Sequence, residues 1–557
     1  MSLFFFGQIV IAEQAGNLGR VIVVSPKFFD NSIEQWIKYR TAQGYKITKI
    51  NADESFTPQQ IRNQISIAAN NSTIAAILIV GNGVVRAESD RGRVIPSPRL
   101  PCQVISEFAN DPHLASDDWY ADFDNDNRPD CPVGRFPANS IESLDSLIQS
   151  TIRYETEIAP DLWCRQFQVV AGVGNFSPLI DHVIESMARF IFTEQLPISC
   201  EVAFLYANVR SQFCPSPLDI RNEYLATLNR SPMFWIYAGH GYHRSLQPLD
   251  TPHGQIETLS DNSKNQNNFP IFNCKNSLPI VMLLCCYGGT LDAKTKSIAE
   301  ELLLPENGAV AVIATSRAAM PYSLTVFGTE CLNEFTKRQN KSEKILLGTI
   351  IFEAKKRMLI NIDEIKNPNL NNQNSFRQAI ENIAKWLDPI PTKLDQQLAE
   401  HVEQIHIFGD PLLTLPQSIP ISLNTQTEIK SGEKLKIKGK IQIENDLKNK
   451  NNLLEMSVLI DLAISPDQIS IRSKRRTKLT KPATETRNED NDEYKLANQH
   501  VIARYVLPIS NQDGIFETEI PIPPNLHGKH LIRVFCKLNN AYAIGAVTIH
   551  INKISNK

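Results

Sequence analysis

The sequence lacks the features that mark several large classes of protein. Lysine and arginine total 57 against 60 aspartates and glutamates, a net charge of -3. No excess of either sign therefore points to nucleic acid or an anionic membrane as the main partner. Cysteine is scarce, 10 in 557 residues, far short of a disulfide scaffold. Cys285, Cys286 and Cys536 stand inside apolar runs that suit reduced, buried thiols. Glycine (24) and proline (33) are too few for a collagen-like or low-complexity chain. No apolar run approaches the roughly 18 residues of a membrane span, and no internal repeat is found. The N-terminal segment, apolar over Leu3–Phe6 and Ile9–Ala12, has neither a basic leader region nor a small-residue cleavage site. It reads as a first strand, which favours a cytoplasmic location; export with a leader already removed is the alternative.

What is present is an ordinary globular composition, 42% hydrophobic and 21% charged, long enough for two to four domains at roughly 150 residues each. Up to about residue 415, short β-branched runs alternate with helical patterns. The runs are Arg20–Ser25, Ala75–Gly81, Phe167–Ala171, Met233–Ala238, Pro279–Cys286 and Ala309–Thr315. Continuous apolarity in such short runs predicts buried strands of a mostly parallel sheet with helices on both faces. Helices are expected at Ser32–Gln43, Pro58–Ala69, Ile141–Tyr154, Leu179–Glu194, Leu218–Leu228, Lys296–Leu304, Tyr322–Thr336 and Ser342–Met358. Asn139–Asp161 reads as a helical link, which divides the α/β part into an N-terminal subdomain, 1–160, and a second one, 161–415. After Pro416 alternating strands predominate, and residues 416–557 read as an all-β sandwich. Within it, Arg472–Tyr494 is basic, then acidic, with almost no apolar residue, and reads as a disordered loop.

Two of the strands run into reactive residues. Ile236-Tyr237-Ala238 leads into Gly239-His240-Gly241, and Pro279–Leu284 leads into Cys285-Cys286-Tyr287-Gly288-Gly289. The C-terminal edge of an open α/β sheet is where sites are built. A histidine there serves as a base near neutral pH, and a cysteine there serves as a nucleophile when a base activates it. Strand alternation sends Cys286 to the edge and Cys285 into the core. Taken alone, each motif also fits a turn histidine or a buried core thiol; the two together, 46 residues apart by number, are the stronger signal.

With these motifs the chain resembles the caspase-like cysteine peptidases, most closely the gingipain-type family, over about residues 18–415. That family shows strand-Gly-His-Gly and then strand-Cys-x-x-Gly followed by a helix. Ala299-Glu-Glu-Leu302, Gly308–Arg317 and Phe408-Gly-Asp-Pro-Leu412 resemble its later segments. The resemblance implies a caspase-like α/β fold followed by an immunoglobulin-like sandwich. It also implies a cysteine endopeptidase acting on protein or peptide substrates, with Cys286 as nucleophile and His240 as general base and acid. The backbone N–H groups of Gly241 and Cys286 would form the oxyanion hole. Glu107, Asp117 and Asp118 are weighed as a group orienting His240.

Ser116–Asp130 is the third signal. Asp122, Asp124, Asp126 and Asp130 fall at positions 1, 3, 5 and 9 of a short loop, with Arg128 at position 7, where calcium loops use a backbone carbonyl. Hard oxygen donors at alternating positions suit a structural Ca²⁺, although Asn127 replaces the usual glycine and no glutamate closes the loop. An acidic surface turn is the plain alternative. No organic cofactor is expected, because Val80–Val85 and Ala171–Gly174 complete neither a dinucleotide nor a Walker pattern. His240-Gly-Tyr-His243 has metal-like spacing but no helix to align its rings and no third ligand. For specificity, the resemblance places Asp117 and Asp118 where an acid would select Arg or Lys at the cleaved bond. Arg317 argues for an acidic side chain instead, or pairs with Asp117. The basic Arg472–Lys481 is the expected site of self-cleavage. The rival reading is a catalytically silent scaffold that recognises partners through its sandwich.

Overall fold

The computed structural model describes residues 18–70, 72–173, 189, 192–260, 273–274, 277–339, 344–360, 371–388, 390–442, 456–465, 483–509, 513–538 and 541–553. The apolar N-terminal segment, nearly all of the helix expected at Leu179–Glu194 and the basic run Arg472–Lys481 lie outside them.

The α/β part is organised by one ten-stranded sheet. In chain order its strands are β1 (Arg20–Ser25), β2 (Lys46–Asn51), β3 (Ile74–Val80), β4 (Val133–Phe136), β5 (Gln166–Ala171), β6 (Glu201–Tyr206), β7 (Phe234–Ala238), β8 (Ile280–Leu284), β9 (Ala311–Thr315) and β10 (Ile405–Phe408). Their spatial order is β2-β1-β3-β4-β10-β9-β8-β7-β5-β6. All neighbouring pairs are parallel except β10 and β9. Two parallel halves of opposite direction thus meet at one antiparallel seam, and β10 closes it by pairing parallel to β4.

The strands form where the sequence is β-branched and both faces are covered. In β1, Val21 and Val23 enter one core with Ile33 and Trp36 of the helix Asp30–Ala42. Ile22 and Val24 enter another with Ile61 and Ile65 of the helix Pro58–Ala69. Each such side chain, taken fully out of water, contributes about 1.5–3 kcal/mol. The helix Pro58–Ala69 starts at a capping box between Thr57 and Gln60. A buried cluster joins the ends of the α/β part: the Arg40 guanidinium binds Asp410 at 2.7 Å and Glu155 at 2.9 Å. This ties the Phe408–Leu412 segment to the first helix.

β2, β4, β6 and β10 were not expected from the sequence. β2 is largely half-exposed and β4 and β10 are only four residues long, so these three lack the long apolar run that marks the others. β6 does carry one, Val202–Ala207, and was overlooked.

The C-terminal part is a second β unit of strands β11 (Ser418–Thr425), β12 (Glu428–Lys430), β13 (Lys434–Ile441), β14 (Met456–Ile464), β15 (Val501–Ile509), β16 (Ile515–Pro521), β17 (Gly528–Lys537) and β18 (Tyr542–Asn552). Its order is β15-β14-β17-β18-β11-β13-β16, with β12 on β18. β13 alternates exposed lysines with buried Leu435, Ile437 and Ile441, the pattern of a strand with one wet face.

One correction falls here. Residues 483–494, expected as part of a disordered loop, belong to a helix, Ala483–Asn498. An apolar stripe does not hold it; polar anchors to the peptidase part do. Arg487 pairs with Asp219 at 2.5 Å, Asn491 accepts the Ser216 N–H, and Tyr494 is buried. The Asn498 side chain both accepts from the N–H and donates to the carbonyl of Phe204. It thereby caps the edge strand β6, whose outer backbone groups would otherwise stand unpaired.

Candidate active site

The strand register brings the two motifs together. Ala238 of β7 is the partner of Leu284 of β8. His240 and Cys286 each stand two residues beyond that pair, so both leave the same sheet edge from neighbouring parallel strands, which lie about 4.8 Å apart. Gly241 is required at the crossing of the two loops. A Cβ there would sit 2.4 Å from Cys285 Sγ and 2.9 Å from the Cys286 carbonyl oxygen. Cys285 is buried, whereas Cys286 is the one cysteine of the ten that is partly exposed. The alternation of the strand accounts for the difference.

The surroundings of each residue are specific. His240 is exposed, and its carbonyl accepts the hydroxyl of the buried Tyr237 at 2.7 Å and the Gln247 N–H at 3.1 Å. Burial pushes the Cys286 thiol up from its ordinary value, and the Ala319 N–H, 3.2 Å from Sγ, acts in the opposite direction. Tyr287 adopts a left-handed φ of 57°, a conformation that costs a bulky residue energy and clusters at functional turns. Its N–H donates to the Arg317 carbonyl at 3.0 Å, and its hydroxyl donates to Asp111 Oδ2 at 2.5 Å.

Cys286 and Tyr287 pack against Cys102, Ile105, Leu114 and Ala318. The segment Arg99–Ala115 therefore covers one side of the thiol. Glu400 secures that segment by accepting the N–H groups of Gln103, Val104 and Ile105 at 2.8–3.0 Å. The helix Ile298–Leu303, whose first N–H groups donate to the carbonyls of His243 and Gly288 at 2.9 and 3.0 Å, opens on a capping box between Ser297 and Glu300. Glu300 also holds Arg86 through two bonds of 2.8 Å.

The residues expected to read the substrate have other partners. Asp117 is buried and takes the Arg135 guanidinium at 2.6 and 2.7 Å and the Ser97 hydroxyl at 2.8 Å. Burial alone would raise its carboxyl, but Arg135 holds it below the ordinary value. Asp118 is buried against the Lys355 ammonium. Burial raises it to about 6 in spite of that cation. Neither carboxylate has surface left for a substrate side chain. Arg317 is paired too, with Asp292 rather than Asp117, at 2.7 and 2.9 Å. Glu107, weighed with the two aspartates as an orienter of His240, binds Lys393 at 2.5 Å. Lys355 is 237 residues from Asp118, so the motif gives no sign of it. Arg135 is only 18 residues from Asp117, just beyond the same acidic segment, and that pairing was overlooked.

The acidic loop is partly convergent. Asp122, Asp124 and Asp130 each present an oxygen within 4.8 Å of the others, the one such cluster of three metal-binding side chains among the described residues. Asp126 is turned toward Arg128 at 3.9 Å, while its N–H donates to Asp122 and Asp124. Asn127 has φ 63°, the left-handed turn that glycine usually supplies at this position and that asparagine tolerates. The departure from the calcium-loop pattern is thus conservative in geometry. Arg62 binds Asp122 at 2.9 Å and competes with a cation for that oxygen. Burial, and then its acidic neighbours, raise the Asp130 carboxyl against the opposing Phe123 N–H, as expected for converging carboxylates. The metal-like His243 bonds Thr295 at 2.8 Å.

A model described as Peptidase family C25 matches residues 15–416. Gingipain R2 of Porphyromonas gingivalis is 22% identical over 312 residues, 54% of this chain and 37% of that protein. The chain thus spans little more than a third of this relative. Two solved structures share the fold. The Arg specific cysteine proteinase gingipain R matches at TM-score 0.50 with 15% identity, covering 98% of this chain and 100% of the other. The complex of Porphyromonas gingivalis RgpB pro- and mature domains matches at 0.51 with 15% identity, covering 96% and 100%.

Proposed function

The chain belongs to peptidase family C25, and from that premise we propose that it is a cysteine endopeptidase working through Cys286 and His240. The Cys286 thiolate attacks the scissile carbonyl carbon. The C–N bond breaks as His240 gives its proton to the leaving amine, and a thioester remains. Water, deprotonated by His240, then attacks the thioester; the acid product leaves and the thiol is restored. The N–H groups of Gly241 and Cys286 stabilise the oxyanion of each tetrahedral intermediate. The observation that supports the reading most is the register: the 46-residue offset between Ala238 and Leu284 is the same as that between His240 and Cys286.

The bond cleaved follows arginine or lysine. A solved relative described as Arg specific supports this preference, and it does not depend on Asp117, Asp118 or Arg317. A calcium ion held by Asp122, Asp124 and Asp130, with the Arg128 carbonyl and Asp126 at the loop's rim, would supply positive charge to three converging carboxylates and stiffen the loop.

Labelling with a peptide chloromethyl ketone tests the dyad. Wild type reacts at Cys286, and both Cys286→Ala and His240→Ala lose the label. A folded wild-type protein that neither labels nor cleaves any Arg, Lys or Asp peptide is the silent scaffold.

A further inference from the structure

Where the sandwich meets the peptidase part there is a small cavity of about 20 Å³, lined by Leu196, Ile198, Cys200, Val202, His500 and Arg533, among others. Apart from the last two its walls are apolar except for Thr193, and His500 and Arg533 are both buried with hydrogen-bonding atoms that have no partner. Arg533 is 3% exposed, and its Nη1 is unbonded. His500 is 4% exposed; it lies near the Val202 backbone, but neither ring nitrogen makes a hydrogen bond of good geometry.

The isolation of Arg533 follows from the sheet. Asp461 of β14 is in register with Arg504 of β15 on one side and Arg533 of β17 on the other. A single carboxylate thus faces two arginines, and a third, Arg165, reaches it from the peptidase part. Its oxygens go to Arg504, at 2.7 and 3.0 Å, and to Arg165. The remaining nearby acid, Glu201, lies 3.8 Å from Arg165; its charge also acts on Arg533 and His500, but without an ion-pair contact to either. Arg533 is left with one hydrogen bond, Nε to the Ile198 carbonyl at 2.7 Å, and no ion pair among the described residues. Three guanidinium groups therefore share two carboxylates, which leaves one positive charge in excess. A buried guanidinium without a counter-ion is costly enough that proteins rarely keep one.

We propose that this cavity is a binding site for one small monovalent anion, chloride by size and charge, held by Arg533 Nη1 and the His500 ring. One negative charge balances the three guanidinium and two carboxylate groups. The volume admits about one or two water-sized spheres, which suits a halide and excludes phosphate or a carboxylate-bearing metabolite. The neutral imidazole donates through whichever nitrogen faces the ion; burial lowers His500 to about 4. The walls come from both parts of the chain, Ile198, Cys200 and Val202 from the peptidase and His500 and Arg533 from the sandwich. The ion therefore binds only when the two are docked, and by mass action it stabilises the docked state.

Bromide replaces chloride and scatters anomalously. Crystals of the wild-type protein grown in sodium bromide are expected to show an anomalous peak in this cavity beside Arg533. Melting temperature should be higher in chloride than in gluconate at equal ionic strength, and Arg533→Gln should remove the difference. If the substituted chain fails to fold, the wild-type bromide map and the wild-type anion comparison decide. A cavity without an anomalous peak, or equal melting in the two salts, overturns the proposal in favour of ordered water.

Discussion

His240 and Cys286 stand the same two residues past Ala238 and Leu284, which are partners in adjacent parallel strands. Sequence separation thereby becomes spatial proximity: a parallel pair without a bulge keeps its offset constant, so residues equally far beyond a matched pair leave the sheet side by side. What the register does not supply is access. Cys286 is half enclosed by the segment Arg99–Ala115, and its thiol is raised by burial. Cys286 is thus only partly accessible.

The strand alternation separates two adjacent thiols by role. Cys286→Ala is expected to abolish peptide hydrolysis while leaving the melting temperature nearly unchanged. Cys285→Ala opens a small void against Gly241 and should cost about 1 kcal/mol while retaining turnover. Peptide assays and thermal melts on both variants check this. Loss of turnover in a well-folded Cys285→Ala with retention in Cys286→Ala contradicts the assignment.

The bond from the Tyr287 hydroxyl to Asp111, 2.5 Å, fastens the covering segment to the residue after Cys286. Hydrogen bonds to charged groups contribute about 1.5–3 kcal/mol. Tyr287→Phe should therefore free the segment and speed alkylation of Cys286 by iodoacetamide about tenfold or more, read by mass spectrometry of the modified peptide. An unchanged rate would show that the segment does not limit access.

Asp117 and Asp118 answer to Arg135 and Lys355, so their removal is a matter of stability. Asp117→Asn leaves a buried guanidinium uncompensated and Asp118→Asn a buried ammonium. Each should cost about 3–5 kcal/mol, seen as a lower melting temperature. The ratio of kcat/KM for arginyl and aspartyl peptides should stay as in wild type. A changed ratio in a stable variant would return the aspartates to the substrate site.

Much of this could be read in the sequence where one local rule decides. The apolar runs ending in Gly-His-Gly and Cys-Cys-Tyr-Gly-Gly located β7, β8 and the edge they share, and alternation separated Cys285 from Cys286. Failure came where the deciding partner is distant. Arg135 is the exception: 18 residues from Asp117, it was near enough to be read and was not. Nothing in the acidic segment announces that Lys355, 237 residues on, will meet Asp118, and nothing in Ala483–Asn498 announces Asp219 and Phe204. Asp111 and Tyr237 were missed for the same reason: their contacts with Tyr287 and His240 exist only after the chain has turned. Arg317 was weighed as selecting an acidic substrate side chain or pairing with Asp117; its partner is instead Asp292, in the loop after Cys286.

The carboxylates Asp122, Asp124 and Asp130 converge within 4.8 Å, so calcium should raise the melting temperature by binding the folded state alone. At a hundredfold excess over Kd this amounts to about 2.7 kcal/mol. Asp124→Asn with Asp130→Asn should abolish the rise, whereas Asp126→Asn, whose side chain faces Arg128, should reduce it less. Identical melts with calcium and with chelator would dismiss the site.

Glu403 offers a pH test that is independent of the active site. It is buried, accepts the Ser116 hydroxyl at 2.8 Å, and is raised to about 7 by burial first and then by the charge of Asp118, with Lys355 acting in the opposite direction. Its ordinary value is 4.5. Between these two values the folded chain holds a proton that the unfolded chain has released, so stability rises with proton binding on the folded side. The native state is therefore favoured as pH falls from about 8 toward 5, and the advantage is lost as pH rises through 7. Asp118, raised to about 6, adds a change of the same sign. At 1.36 kcal/mol per pKa unit, Glu403 accounts for at most about 3 kcal/mol. Glu403→Gln keeps the shape and the acceptor for Ser116 but has no charge to bury. Its melting temperature should exceed that of wild type at pH 8 and nearly match it at pH 5. If the substitution lowers stability equally at both values, Glu403 is ionised in the folded protein and is held by Lys355 after all.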